Sequence, residues 1–486
     1  MKTNTLDFDA QALREKILDL AMRGKLVPQD SNDKPASVLL KKIKAEKEQL
    51  IKEKKIKKSK SLAPITDDEK PFDIPDSWEW VRFGDVGLLK NGKTPKKEDI
   101  SSDNIYPYFK VKDMNNNNLY MENAKNWVGE KYSRQVMPKN TIIFPKNGGA
   151  ILTAKKRILT QDSLVDLNTG GLIPYNDLNH KFIFYLFLSL NIKDFVKGSA
   201  VPTINSKKLK ETLVPLPPLE EQSRIAAKIA QLFALLRKVE SSTQQYAKLQ
   251  TLLKSKVLDL AMRGKLVEQD SHDEPASVLL EKIKAEKEQF IKEGKIKKSK
   301  SLPPVTDDEK PFDIPDSWEW VRLGNIGTIT AGGTPKTSEK SYWKNGNIPW
   351  ITPAVMSNLQ DEAVFNINSQ LKYINNLGLE KSSAHLIPKN SLVVSSRAPI
   401  GYVNIVPFEY TTNQGCKSVS LYNCISIKFL YFAIKRSVPD MNKRASGTTF
   451  KEISGTKFGQ TIIPLPPLEE QNRIAKKIAE LLILLK

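Results

Sequence analysis

The stretch ILDLAMRGKLV, residues 17–27, occurs a second time as VLDLAMRGKLV at residues 257–267. The similarity extends well beyond these eleven positions. Residues 17–84 recur at 257–324, with 58 of 68 positions identical and a constant shift of 240 residues. Because such a match over this length does not arise by chance, the chain contains an internal duplication.

A second repeated pair closes each copy. VPLPPLEEQSRIAAKIAQL, residues 214–232, returns as IPLPPLEEQNRIAKKIAEL, residues 463–481, with a shift of 249 residues. Between the repeated blocks lie two segments, about 85–213 and 325–462, that differ strongly from each other. The chain is therefore a duplicated scaffold that carries two divergent inserts.

The repeated scaffold has the pattern of a long helix. Pro217 and Pro218 can begin a helix but not continue one, and Glu220 and Glu221 follow in the first turn, where the helix dipole favours acidic side chains. Apolar residues then alternate spacings of four and three for about 45 residues, roughly 65 Å at 1.5 Å per residue. This spacing predicts a coiled-coil interface.

The chain ends repeat the two halves of this helix, the N-terminus its second half and the C-terminus its first. Two terminal pieces can thus build a second long helix beside the first. We expect an antiparallel coiled coil with an internal pseudo-two-fold axis; the alternative is one amphipathic helix packed on a globular core. The residues predicted at the interface are Leu13, Ile17, Ile225, Ile229, Leu232, Leu236, Leu253, Val257, Ile474, Ile478 and Leu481.

The predicted fold class is α+β, with two mixed α/β domains separated by the helical coiled coil. Each insert contains short β-like runs and one apolar helix, and its tryptophans, at 78, 80, 318 and 320, are expected in the core. The predicted domains are a helical region with a lysine-rich tether at 1–63, a first insert domain at 64–213, a central helix with its tether at 214–303, a second insert domain at 304–462 and a terminal helix at 463–486.

Composition favours a polyanionic partner. The 486 residues carry a formal net charge of +21 and a pI near 9.5, which favours nucleic acid over a merely lysine-rich solvated surface. Two cysteines and three scattered histidines give neither a disulfide framework nor a metal-binding pattern. The longest apolar run is too short to span a membrane and the N-terminus has no signal-peptide core, so we expect a cytoplasmic protein.

The stretch GLLKNGKTP, residues 87–95, matches the phosphate-binding P-loop pattern. A P-loop requires a helix immediately after the Thr, whereas here Pro95 follows and no apolar helical stripe begins. In the second copy the sequence is GTITAGGTP, with Gly333 in place of Lys93. Since Gly-x-Thr-Pro persists and the Lys does not, we interpret both stretches as turns at strand ends.

Loops in both inserts are rich in side chains that contact bases. Arg and Lys pair with guanine and Asn and Gln with adenine, although each such residue is often a phosphate contact or plain surface. The candidate DNA-binding residues are Lys93, Lys146, Asn147, Lys155, Lys156, Arg157, Ser396, Arg397, Thr411, Thr412, Asn413, Gln414 and Lys417. No methyltransferase, dinucleotide-binding or nuclease motif is found, so no catalytic residue is proposed.

Several motifs resemble the specificity subunits of type I restriction-modification enzymes. They are PLPPLEEQSRIAAKI and its copy, LAMRGKLV, GGTP, SSRAPIGYVNI, TTNQGCKS, GSAVPTINSK and FPKNGGAILTAKKRIL, in the family's order over almost the whole chain. The first insert has FPKNGGA where the second has SSRAPIG, so the two belong to different subgroups.

The resemblance implies a non-catalytic protein with two target recognition domains, each specific for one half of a split, asymmetric double-stranded DNA site. It also implies two modification (methyltransferase) subunits that carry S-adenosylmethionine, and restriction (translocase/endonuclease) subunits that use ATP and Mg. No cofactor or metal is expected in this chain. The alternatives are a methyltransferase acting alone, an architectural coiled-coil protein and a sequence-recognising subunit of another DNA-directed defence complex.

Overall fold

A computed structural model describes residues 9–56, 64–198, 202–296, 302–359, 362–368, 370–447 and 450–485. The chain divides into two compact units, residues 1–244 and 245–486. One helix crosses this boundary. Each unit therefore contains one insert together with parts of the repeated scaffold.

The helices in the described part of the chain follow the repeat. They are α1 (Ala10–Met22), α2 (Ala36–Lys52), α3 (His180–Ser189), α4 (Ser206–Glu211), α5 (Leu219–Met262), α6 (Ala276–Lys292), α7 (Leu323–Ile326), α8 (Pro353–Ser357), α9 (Asn376–Glu380), α10 (Ile427–Arg444), α11 (Gly455–Gly459) and α12 (Leu468–Leu484).

The strands of the first unit are β1 (Glu79–Arg82), β2 (Gly87–Asn91), β3 (Tyr106–Phe109), β4 (Tyr120–Met121), β5 (Asn126–Val128), β6 (Ile142–Pro145), β7 (Arg157–Leu159), β8 (Leu164–Val165), β9 (Thr169–Pro174), β10 (Val196–Lys197), β11 (Thr203–Ile204) and β12 (Leu213–Leu216). Those of the second are β13 (Glu319–Arg322), β14 (Gly327–Ala331), β15 (Ile348–Ile351), β16 (Lys372–Ile374), β17 (Ser391–Ser396), β18 (Ile400–Val406), β19 (Thr411–Thr412), β20 (Cys416–Leu421) and β21 (Ile462–Leu465).

The main sheet of the first unit has the strand order β2-β9-β6-β7-β4, and a smaller sheet has the order β5-β3-β8. Strand β9 pairs antiparallel with both β2 and β6, so that β2 and β6 end, and β9 begins, at the same edge of the sheet. The apolar helix α3 buries Phe182 through Phe187 in the core of this unit. The loops at that shared edge are thereby held on a rigid frame.

The second unit has the same arrangement of a main sheet, a smaller sheet and an apolar helix, although the sequence of its insert is different. Its main sheet has the order β14-β20-β17-β18, and its smaller sheet has the order β16-β15-β19. Strand β20 again pairs antiparallel with two neighbours, β14 and β17, and α10 supplies the apolar helix. The two inserts therefore share a fold despite their different sequences.

A buried carboxylate joins helix α5 to the first insert. Glu221, only 1% exposed, accepts hydrogen bonds from Trp78 Nε1 at 2.8 Å and from Gln29 Nε2 at 2.6 Å. The next residue, Gln222, donates to the carbonyl of Pro217 and accepts from the backbone of Asn179, at the start of α3. The repeated Glu-Glu-Gln sequence thus fixes the entry of α5 against both the first strand and the apolar helix of the insert.

The second unit contains the same hydrogen bonds. Trp318 donates to Glu470 at 2.8 Å, Gln269 donates to the same carboxylate, and Gln471 accepts from the backbone of Ser426. In each unit an arginine one turn further along the helix pairs with an aspartate, Arg224 with Asp33 and Arg473 with Asp273, both at 2.6 Å. The repeated residues therefore make the same set of contacts in both units.

Helix α1 runs antiparallel to α5 within the first unit. Arg14 pairs with Glu240, whereas Gln29, further along the chain, donates to Glu221, nearer the start of α5.

The residues predicted at the coiled-coil interface differ in how deeply they are buried. Ile225, Ile229, Leu236, Ile474 and Ile478 are buried, while Ile17, Leu232, Val257 and Leu481 are partly buried.

Leu13 and Leu253 differ from this pattern, being 43% and 49% exposed. Apart from Ala10, the buried residues of α1 lie at its C-terminal end, at Leu18, Ala21 and Met22, and Leu13 lies outside this group. Likewise residues 241–249 of α5 are all exposed. This middle stretch of the predicted interface is therefore exposed in the described part of the chain.

The mixed α/β character of each unit and the long helix between them are confirmed, since α5 has 44 residues. Trp78 and Trp318 are core residues, 4% and 3% exposed, as expected. Trp80 and Trp320 are only partly buried and pack edge-on against Phe72 and Phe312. No described helix is long and apolar enough to cross a membrane.

The buried carboxylates make stability depend on pH in a defined direction. Burial raises the pKa of Glu221 and Glu470, although the hydrogen bonds from the tryptophan and glutamine oppose this effect. The native state then keeps these protons at pH values where the unfolded chain has released them. The free energy of unfolding therefore falls as pH rises through this window, by about 1.4 kcal/mol for each unit of pKa difference between the two states.

We predict that the double variant Glu221→Gln/Glu470→Gln loses this part of the pH dependence, because glutamine does not titrate. Urea unfolding between about pH 4.5 and 7 measures the change. The matched control is Glu220→Gln/Glu469→Gln, which alters the preceding exposed glutamates. An identical pH profile for the buried variant and the wild type would contradict the prediction.

Candidate DNA-recognition edges

The loops at the shared sheet edge of the first unit converge through backbone hydrogen bonds. The Gly92 N–H donates to the Thr169 carbonyl at 3.0 Å, and the Lys146 N–H donates to the Asn168 carbonyl at 2.7 Å. The Ile204 N–H donates to the Lys146 carbonyl at 3.0 Å. We call segments 92–95, 146–148, 166–168 and 202–205 the first loop edge.

The second unit builds an equivalent edge with the same hydrogen bonds. The Gly332 N–H donates to the Cys416 carbonyl at 3.4 Å, and the Ser396 N–H donates to the Gly415 carbonyl at 2.8 Å. The Ile453 N–H donates to the Ser396 carbonyl at 3.0 Å. Segments 332–335, 396–398, 413–415 and 451–454 form the second loop edge.

These bonds align the two edges residue by residue. Lys93 corresponds to Gly333, because their N–H groups donate to the equivalent carbonyls of Val165 and Thr412. Thr94 and Thr334 also correspond. The Thr94 hydroxyl accepts a hydrogen bond from the Leu167 N–H, and the Thr334 hydroxyl donates to the Gln414 side chain in the equivalent turn. Asn147 corresponds to Arg397, because each forms an isolated β-bridge with the segment preceding a short helix.

The glycines of the Gly-x-Thr-Pro turns are required by close approach of the chain. A Cβ atom on Gly92 would lie 2.0 Å from the Asp166 carbonyl oxygen, and one on Gly332 would lie 1.9 Å from that of Asn413. Gly87–Asn91 is a strand, and the nearest helical turn after Pro95 is a single 3-10 turn at Lys97–Asp99. The stretch is thus a strand-ending turn, and the P-loop interpretation is excluded.

Eight of the predicted DNA-binding residues are not buried. Lys93 and Gln414 are exposed, and the partly exposed residues are Lys146, Asn147, Lys155, Arg157, Arg397 and Asn413. All but Lys155 and Arg157 belong to the two loop edges. The edges therefore collect amide and cationic groups in loops that a rigid sheet supports, which is the usual position of binding residues.

Lys156 is buried instead, with 3% exposure, so it does not reach the surface in this structure. Its Nζ donates to the Leu190 carbonyl at 3.1 Å and lies 4.8 Å from the centre of the Phe187 ring. Burial lowers the pKa of this lysine to about 7. Arg157 donates to the carbonyls of Met114, Lys156 and Asn117, and burial lowers its pKa. Both cations hold loops in place.

Four predicted residues of the second unit are also buried, which corrects the expectation that they face the DNA. Ser396, Thr411 and Thr412 are fully buried, and Lys417 is 5% exposed. The Lys417 ammonium donates to Ser396 Oγ at 3.2 Å and to the Gln414 carbonyl at 3.0 Å. These residues position the edge rather than form its surface, because strands β17, β19 and β20 place them under the loops.

The structure adds two residues to the candidate edges that the sequence analysis did not single out, Thr203 and Glu452. The sequence does relate them, because positions 203 and 452 differ by 249, which is the shift between the two copies of the second repeat. Among the described residues, no group of three or more His, Cys, Asp and Glu side chains could hold a metal ion.

This arrangement, two equivalent loop edges on a duplicated helical scaffold, defines a protein class with two divergent binding modules. The family model for the type I restriction modification DNA specificity domain matches residues 75–250 and 315–484. The chain therefore belongs to this family, whose subunits are non-catalytic components of restriction-modification complexes.

Individual proteins similar to this chain support the same family assignment. The specificity subunit of the type I restriction enzyme EcoAI from Escherichia coli is 31% identical, over 98% of this chain and 89% of its own length. The EcoEI specificity subunit, also from Escherichia coli, is 35% identical over 68% of this chain and 64% of its own. A solved chain from work on assembly of the type I R-M system aligns with a TM-score of 0.55 and 20% identity, over 85% of this chain and 92% of its own.

The neighbouring residues Lys155 and Lys156 allow a test of which side chain contacts DNA, because only Lys156 is buried. We predict that Lys155→Met weakens binding of duplex DNA and lowers its salt dependence by about 0.9 in the slope of log K against log salt, as loss of one phosphate contact would. Lys156→Met should leave both quantities unchanged, because its ammonium faces Leu190 and Phe187. Binding isotherms at several salt concentrations measure both; a loss confined to the Lys156 variant would contradict the assignment.

Proposed function

We propose that this chain gives a type I restriction-modification complex its DNA sequence specificity. Each loop edge contacts the bases of one half of a split, asymmetric site, and the helical scaffold sets the gap between the halves. The observation that supports this most is the equivalence of the two edges. The backbone frame is the same in both, whereas the side chains that it presents differ.

The side chains favour different base preferences in the two halves. The first edge presents Lys93, Lys146 and Asn147, and the second presents Arg397, Asn413 and Gln414 at its partly or fully exposed positions. Amide groups pair with adenine and guanidinium with guanine in the major groove. Two unlike edges on one frame are suited to two unlike half-sites.

Lysines on the surrounding surface supply the non-specific part of binding. Exposed lysines on or next to the edges include Lys93, Lys96, Lys97, Lys112, Lys207, Lys336 and Lys451, and Lys155 is partly exposed. Such cations contact phosphates and release counterions, which gives affinity without sequence preference. The lysine-rich tether of the first copy is proposed to add phosphate contacts of the same kind, and its residues 57–63 lie outside the described residues.

The repeated scaffold is proposed to bind two modification subunits, one for each copy of the duplicated contacts, with restriction subunits joining through them. In this scheme the modification subunits bind S-adenosylmethionine, and the restriction subunits use ATP and Mg. The chain itself works in the cytoplasm, positions these partners on the DNA and holds no cofactor.

The direct test is to express the chain with its modification subunit in a host free of other DNA methylation and to map modified bases across the genome. We predict a motif of two different short halves separated by a fixed gap. A palindromic or uninterrupted motif would contradict the proposal. Absence of any motif, with the proteins associated, would favour a subunit of another DNA-directed defence complex.

A further inference from the structure

Each loop edge contains a bridged pair of residues at equivalent positions, and the chemistry of this pair differs between the two units. In the first unit Asn147 forms an isolated antiparallel bridge with Thr203, and in the second Arg397 forms the same bridge with Glu452. The flanking hydrogen bonds are also the same, since Ile204 and Ile453 each donate to the residue before the bridge, at 3.0 Å. The fold thus brings together an amide and a hydroxyl in one unit, and a guanidinium and a carboxylate in the other.

Glu452 is held in place from beneath. Its Oε1 lies 3.4 Å from the ammonium of buried Lys417, which is itself bonded to Ser396 and Gln414. A buried ammonium has few alternative positions, so the carboxylate is fixed relative to strands β17 and β20. One oxygen of Glu452 therefore belongs to the frame.

The other oxygen faces the surface cation. Glu452 Oε2 lies 3.8 Å from Arg397 Nη1, which is within ion-pair range but too long for a hydrogen bond. The two side chains are 37% and 39% exposed. Arg397 is therefore oriented by charge while its N–H groups keep the capacity to donate to a base.

Gly415 completes the arrangement. A Cβ atom there would lie 3.1 Å from Arg397 Nε, so the arginine side chain passes closely over the β19–β20 turn. The equivalent position in the first unit is Asn168, where the opposite residue is the short Asn147. Gly415 thus leaves space for the Arg397 side chain, whereas the first edge carries a larger residue, Asn168, at this position.

We propose that this bridged pair determines base specificity in each unit. Arg397 contacts guanine in the second half-site and Glu452 is the positioning residue that orients its guanidinium. Asn147 and Thr203 occupy the same positions in the first unit and select an adenine. The inference rests on the function proposed above, and it adds the residues and the base classes on which the specificity depends.

The test uses the complex with its modification subunits and duplex oligonucleotides randomised at one base of the second half-site at a time. Wild type should prefer guanine at one position, and Arg397→Ala should reduce that preference about tenfold or more. Glu452→Gln should reduce the same preference several-fold in the wild-type background and have no further effect when Arg397 is already alanine. Glu409→Gln, an exposed glutamate of the same unit, is the matched control.

The first half-site controls for assembly of the complex, because its preferences should persist in every variant of the second unit. The remaining positions of the second half-site monitor folding of the second unit, because their preferences should also persist. The proposal is overturned if Glu452→Gln leaves the guanine preference intact, or if it acts equally with and without Arg397, as a purely structural role would. If wild type shows no preference at any position, the proposed function itself has failed.

Exchange of the pair gives a second, independent result. The variant Arg397→Asn/Glu452→Thr places the pair of the first unit on the frame of the second, and we expect its preference at that position to change from guanine to adenine. Retention of guanine would exclude the pair as the determinant. Methylation mapping of the same variant shows whether the change also occurs in the modified motif.

Discussion

The buried carboxylate of Glu221, with its copy Glu470, is the constraint on which the rest of the structure depends. Glu221 accepts hydrogen bonds from Trp78, just before strand β1, at 2.8 Å and from Gln29, beyond the end of helix α1, at 2.6 Å. Removing one partner would leave a buried polar group unsatisfied, which costs about 1–3 kcal/mol. The insert and the helix are thus locked together, and variation elsewhere in the insert does not disturb the junction.

That separation explains why the two inserts can differ so much. The sheet edge is defined by backbone hydrogen bonds and by glycines at positions 92 and 332, which any sequence with the same turns can keep. Under the proposed function, sequence specificity then depends on the few side chains that these loops expose. The same junction repeated in both units allows one scaffold to present two unrelated surfaces.

The sequence was sufficient to predict the helical scaffold, but not to predict which side chains of the inserts reach the surface. Duplication and the four-three spacing of apolar residues predicted α5, because helix periodicity is local. The pairing of β1 with β12, over more than 130 positions, follows from tertiary packing that no local pattern contains. The same reason explains Lys156 and Lys417: a lysine is normally exposed, and only the assembled core shows that these two ammonium groups bind carbonyls beneath the loops.

Each insert is proposed to determine one half of the DNA site independently of the other. The most direct test is a chain in which residues 325–462 are replaced by a second copy of residues 85–213, followed by mapping of the bases modified by its complex. We predict that the second half-site disappears and the first occurs twice, as an inverted repeat about the gap. Persistence of the original second half-site in this chain would contradict the proposal.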